Sequence, residues 1–179
     1  MKLYNTLTRS KDKLTPLKPG QISLYTCGPT VYHYYHIGNL RNAVFNDTLK
    51  RALEAEHSRV HHVMNITDVG HLTGDADDGH DKLQERAAAE GKDVWQVAQF
   101  YTEAFYHDMD SLNVLKPTKY VKATDTIDQQ IGMVARLLDL GFAYQTTQAI
   151  YFDTAKLKDY GKLNGQKLSD KEVGARKEV

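Results

Sequence analysis

Side chains able to do chemistry are concentrated in one stretch, Cys27-Gly28-Pro29-Thr30-Val31-Tyr32-His33-Tyr34-Tyr35-His36-Ile37-Gly38-Asn39-Leu40-Arg41. His36 stands just before a segment of helical periodicity, where its ring can donate to a phosphate oxygen. A helix start there presents unpaired N–H groups and the positive end of the helix dipole, which suits phosphate. Gly38 has no Cβ and lets backbone come close to a base or ribose. On spacing alone the plainer reading is preferred, a strand–turn–helix with a core glycine and an exposed histidine. Cys27, the single cysteine, reads by itself as a structural core residue. It excludes an intrachain disulfide and suits a reducing compartment.

Other constellations offer less. His61 and His62 are adjacent on a strand, so their side chains face opposite sides and cannot readily share a metal. In the loop from Gly74 to Glu85, Gly79 and Glu85 fit positions 6 and 12 of a calcium loop. Gly74 and Ala76 would then occupy positions 1 and 3, where carboxylates are required, so the match fails. Tyr32, Tyr34 and Tyr35 either stack on a nucleobase or pack a turn beside the site.

The elements that must position these residues follow from periodicity. Residues 22–27 read as a strand between Pro19-Gly20 and Gly28-Pro29. A helix is expected over 39–56, with Phe45, Leu49, Ala52 and Leu53 on its apolar face. A second strand, 59–66, makes a crossover onto a parallel sheet. Cys27 and Thr67 then end neighbouring strands at the carboxyl edge, where open α/β sheets take ligands. By itself Thr67 also suits a cap for the following turn. Beyond the polar loop 70–79, helices are expected over 81–90 and over 93–110, the latter capped by Asp93. A change of character begins near Asn113, and Pro117 breaks the pattern. A helix over 125–140 follows, with Ile127, Ile131, Val134 and Leu138 on one face, then a hairpin of 142–144 with 149–152. From Lys156 the chain is polar and its tail is expected to be mobile.

Composition bounds the rest. The chain has 179 residues, 41% hydrophobic and 26% charged, which is ordinary globular usage and excludes a disordered or collagen-like chain. Twenty-three basic residues balance 23 acidic ones, so nothing supports a nonspecific nucleic-acid binder. No signal peptide or membrane-length apolar run is evident, and a cytoplasmic location is expected.

His36-Ile37-Gly38-Asn39 resembles the HIGH signature of class I aminoacyl-tRNA synthetases, with Asn39 in the fourth position. The run 27–41 looks like the version in the cysteinyl-tRNA synthetase family. Tyr4-Asn5-Thr6-Leu7-Thr8, Asn65-Ile66-Thr67-Asp68 and Leu112-Asn113-Val114-Leu115-Lys116-Pro117 are similar to that family in order and separation. The resemblance spans essentially the whole chain. It implies an α/β, Rossmann-like class I nucleotide-binding fold: residues 1–112 as its first half and 113–179 as the start of a connective insertion. It implies cysteine, ATP and tRNA(Cys) as reactants, with cysteinyl adenylate as intermediate. By the same resemblance His36 and Asn39 are catalytic, and Thr30, His36, Gly38 and Asn39 bind ATP. Gly28 and Thr67 hold the substrate cysteine. Cys27 is one of four zinc ligands, the others lying outside this chain, and magnesium accompanies ATP in the complete enzyme. Zinc prefers thiolate to hydroxyl, so the metal would reject serine.

Two local departures stand out. His33 occupies a position where the family often has Asp, and Val69-Gly70-His71-Leu72 replaces its usual run before Asp81-Lys82, leaving the role of Lys82 and of the acidic loop open. The family chain is also much longer. This chain therefore resembles its N-terminal portion and is expected to be inactive alone, with the missing C-terminal half as partner. An exposed sheet edge and an uncovered apolar face are expected, formed from Val60, Val63, Met64, Ile66, Phe45, Leu49 and Leu53. The alternative reading is a stand-alone nucleotide- or tRNA-binding paralogue, or a split-enzyme subunit. A cysteine ligase for a small-molecule amine ranks last.

Overall fold

The computed structural model describes residues 1–56, 59–70, 81–147 and 149–165. The expectations for the acidic loop beyond Gly70 and for the tail beyond Gly165 lie outside the described residues. Strands β1 (Lys2–Asn5), β2 (Ser10–Lys13) and β3 (Gln21–Thr26) lead into helix α1 (Ile37–Glu56) and strand β4 (Arg59–Ile66). Helices α2 (Lys82–Glu90) and α3 (Val94–Ser111) come next, then β5 (Lys119–Lys122), α4 (Ile127–Asp139), β6 (Ala143–Gln145) and β7 (Ile150–Phe152). The chain divides into two compact units. Met1 and Thr15–Asp125 form the first, and Lys2–Leu14 with residues from Thr126 onward form the second. Strand β5 pairs with β4 and so belongs to the first unit.

The first unit is a parallel sheet in the order β3-β4-β5. On β4 the buried residues are Val60, His62, Met64 and Ile66, a strict period of two, while Arg59 and His61 are exposed. The apolar members each contribute roughly 1.5–3 kcal/mol by burial. Val31, Ile66, Leu83, Ala87, Val97, Ala98 and Tyr101 form one core cluster, and Ala43, Met64, Phe105 and Met109 another. Helix α3 contributes to both. Val31, only 1% exposed, roots the loop between β3 and α1 in the first of them. Side chains fix the helix starts. Asp81 accepts from the N–H groups of Leu83 and Gln84 at the head of α2, and Asp93 and Gln96 form a reciprocal capping box at the head of α3.

Two expectations are corrected. Val60, Met64 and Ile66 are core residues, because β4 is the middle strand and not an edge, and Leu53 is buried on α1. The buried face of α1 is Ala43, Lys50 and Leu53 and does not include Phe45, which is 65% exposed, as the expectation of an uncovered apolar face had it. The stripe escapes a hydrophobicity count because it contains Lys50. The Lys50 ammonium donates to the Lys116 carbonyl at 2.6 Å, so the charge enters with a partner.

His62 is 3% exposed. Its Nε2 lies 2.8 Å from Thr26 Oγ1, and its Nδ1 has no partner among the described residues. Burial, with the nearby Lys50 charge, pushes this imidazole below its ordinary value of 6.5. The unfolded chain therefore binds a proton that the folded chain refuses. Stability should be fully present above about pH 6.5 and should fall as the pH drops from there through the lowered value. Urea melts between pH 7.5 and 5 should show this slope, and His62→Gln should flatten it. An unchanged slope in the variant would assign the effect to other groups.

In the second unit β1 and β2 pair antiparallel, as do β6 and β7. Asp12 gathers the side chains of Asn5, Thr8 and Ser10 around the first hairpin. Helix α4 has no buried residue, and Ile127, Ile131 and Val134 of its apolar face are exposed. Among the described residues no helix is long and apolar enough to cross a membrane.

Candidate functional site

The site is built on an irregularity in the parallel ladder. Thr26 pairs with Met64, and pairing resumes as an isolated bridge between Thr30 and Thr67, so the first chain carries one more residue than the second between these pairs. The extra residue makes a bulge at Cys27-Gly28, a feature that commonly re-aims chain beside a site. The bridge is tight, with Thr67 N–H donating to Pro29 O at 2.8 Å and Val31 N–H to Thr67 O at 3.1 Å. At the bulge, Gly28 N–H donates instead to the side chain of Asn65, Oδ1 at 2.9 Å. Gly28 is required by space: a Cβ there would lie 1.9 Å from the Asn65 carbonyl oxygen and 2.8 Å from Met64 Cγ.

The start of α1 supplies the second part. His36 is its cap. The ring Nδ1 accepts the Gly38 N–H at 3.1 Å, and Asn39 Oδ1 accepts the His36 N–H at 3.3 Å. This is a capping box made from His and Asn, which explains the spacing of three. Because Nδ1 is an acceptor, the neutral ring carries its proton on Nε2, the nitrogen left for a ligand. A Cβ on Gly38 would press on the ring, 3.0 Å from Cε1 and 3.1 Å from Nδ1. The Asn39 Nδ2 amide has no partner among the described residues.

Gly28, Thr30, His36 and Asn39 line one open cleft of about 220 Å³, together with Tyr32, His33, Tyr34 and Tyr35. Thr67 and Cys27 do not line it: Thr67 is bridged by backbone to Thr30, and Cys27 is the exposed chain neighbour of Gly28. Gly38 sits behind the His36 ring. The aromatic run is largely structural: the His33 ring stacks on Tyr101 at 6.3 Å and 4°, and Tyr34 meets Tyr101 edge-on at 5.2 Å. The Lys82 ammonium, at the first residue of α2, lies 5.4 Å over the Tyr32 ring, a cation–π contact from α2 to the loop before α1. Burial, and then the neighbouring Cys27, push the Tyr35 hydroxyl well above the usual phenol range, so it stays protonated at neutral pH.

Against this geometry, residues 13–179 match the family described as tRNA synthetases class I (C) catalytic domain. The chain belongs to that family. It is 46% identical over 93% of its length to a cysteine–tRNA ligase of Zymomonas mobilis, and 44% identical over its full length to one of Treponema denticola. It spans about a third of these relatives, 32% and 36% respectively. Its fold is similar to that of the Agrobacterium radiobacter LeuRS solved as a ternary complex with tRNA and LeuAMS, with a TM-score of 0.56 and 23% identity. That match covers 73% of this chain and 16% of the other. The mixed α/β fold with its parallel sheet is thus that of a class I synthetase.

Within the family motifs the structure adds residues that were not singled out for the site. Asp68, 5% exposed, accepts from Thr124 N–H at 3.0 Å and from its hydroxyl at 2.6 Å, tying the end of β4 to the chain after β5. Asn65 braces the bulge. A polar residue within a strand of buried apolar neighbours was the signal for it. For zinc, the described residues offer Cys27 alone and no group of three His, Cys, Asp or Glu side chains. One thiolate does not fit a four-coordinate site.

Proposed function

We propose that this chain carries the part of a cysteine–tRNA ligase that receives ATP and the amino acid, acting in the cytoplasm. In the reaction the cysteine carboxylate attacks the ATP α-phosphate, forming cysteinyl adenylate and releasing pyrophosphate. A terminal ribose hydroxyl of tRNA(Cys) then takes the cysteinyl group and releases AMP. The observation that supports this reading is the His36–Asn39 cap, which holds two free donors, His36 Nε2–H and Asn39 Nδ2–H, at the cleft containing Gly28 and Thr30. Donors fixed in advance stabilise charge developing on phosphate without reorganising. Gly38 keeps room for the ring, Thr30 is a secondary nucleotide contact, and Gly28 with Thr67 faces the amino acid. Cys27 is one ligand of the four that zinc requires, so no step here passes through the metal.

His36→Asn separates the two roles of the residue. Asparagine is a favourable N-cap and keeps an acceptor for Gly38 N–H, but it lacks the ring Nε2. The variant should melt within a few tenths of a kcal/mol of the wild type, while its ATP dissociation constant should rise about tenfold or more, equivalent to about 1.4 kcal/mol. ATP titration followed by amide NMR shifts reads both. A wild-type chain whose cleft resonances ignore ATP would overturn the reading.

A further inference from the structure

The Asn65 amide sits between the two strand ends. Its Oδ1 accepts from Gly28 N–H at 2.9 Å and from the Tyr25 hydroxyl at 2.9 Å. Its Nδ2 donates to Thr67 Oγ1 at 3.1 Å. The orientation is not interchangeable, because a backbone N–H can only donate and therefore needs the amide oxygen. Flipping the amide would leave Gly28 N–H facing NH2 at the bulge. The Thr67 hydroxyl thus receives a hydrogen bond from Asn65, and its own proton is not used there.

We propose that Asn65 is a positioning residue for the amino-acid end of the site, holding the Thr67 hydroxyl as a donor so that the bound amino acid meets it with an acceptor atom. This deepens the reading of the cleft given above and rests on it. The bulge and the hydroxyl are set by one side chain. Gly28 approaches Asn65 so closely that no side chain fits between them, and the same amide occupies one lone pair of the Thr67 hydroxyl, so that its O–H turns away from Asn65. The hydroxyl proton left unused by Asn65 is then offered to an electron-rich group of the amino acid, its carboxylate or thiolate.

Asn65→Asp tests the polarity directly. The carboxylate still accepts from Gly28 N–H and Tyr25, but it also accepts from Thr67 and consumes the hydroxyl proton. Thr67→Val removes the hydroxyl alone and keeps the β-branched shape. The measurement is titration of the chain with L-cysteine and, separately, with ATP, followed by amide NMR shifts. Both variants should bind ATP within about twofold of wild type and bind L-cysteine about tenfold more weakly. The double variant should add little to either single one. Wild-type cysteine affinity in both variants overturns the role of Asn65, and so does an equal loss of ATP and cysteine binding. If Asn65→Asp does not fold, Thr67→Val decides by the same criteria. A wild-type chain that binds neither probe overturns the reading of the cleft itself, and this inference with it.

Discussion

Gly28→Ala should destabilise the chain by about 3 kcal/mol, the upper end for an overpacked site. The new methyl meets the Asn65 carbonyl at 1.9 Å and the Met64 side chain at 2.8 Å. Met64 can turn aside, but the backbone carbonyl belongs to β4, whose pairing on both sides prevents it from yielding. The chain must therefore move Gly28 outward, which breaks its bond to Asn65 and opens the bulge. Urea denaturation measures the loss. A loss under about 1 kcal/mol would show that the bulge relaxes freely. Because the clash is local, the slope with urea should be unchanged.

Asp68→Ala should cost a similar amount, about 3 kcal/mol. Bonds to a charged acceptor contribute about 1.5–3 kcal/mol each, and Asp68 accepts two in a buried position. Alanine leaves the Thr124 N–H without its acceptor at the end of β5. Asp68→Asn keeps an oxygen for that N–H and can offer its NH2 to the Thr124 hydroxyl, so it should cost less than half as much. The same melts rank the two variants. Equal losses would mean that the charge, and not the bonding pattern, holds the two strand ends together.

How much of this was legible varies by element, for physical reasons. The bounds of strand β4 are legible, since Val60, Val63, Met64 and Ile66 fall in one short β-rich run, but its place in the middle of the sheet depends on the later pairing with β5. Helices α2 and α3 announce themselves through Asp81, Gly91 and Asp93 at their ends. Strand β5, Lys-Tyr-Val-Lys, carries no such pattern. It exists by pairing with β4 across a long stretch of chain, and no local window contains that information. The β1–β2 hairpin was also missed. Its turn puts Arg9 at φ 56° where glycine or asparagine is the usual signal, and side chains around Asp12 hold it. In the site, His36, Gly38 and Asn39 stood out as residues, but their mutual capping bonds did not. Asn65 lay within a quoted motif, yet its work is visible only in the register, where the ladder slips by one residue.

The exposure of Cys27 has a practical side. One thiol in 179 residues, and an exposed one, makes thiol-directed alkylation of this chain stoichiometric and confined to one position, next to the Gly28 of the cleft. A fluorophore attached there reports on ligands arriving beside it without any second label to silence. The same sulfur has no partner within its own molecule, so air oxidation can join it only to another copy or to a small thiol. Preparations kept without reductant should accumulate a covalent pair linked through the two clefts, which a reducing agent returns to single chains.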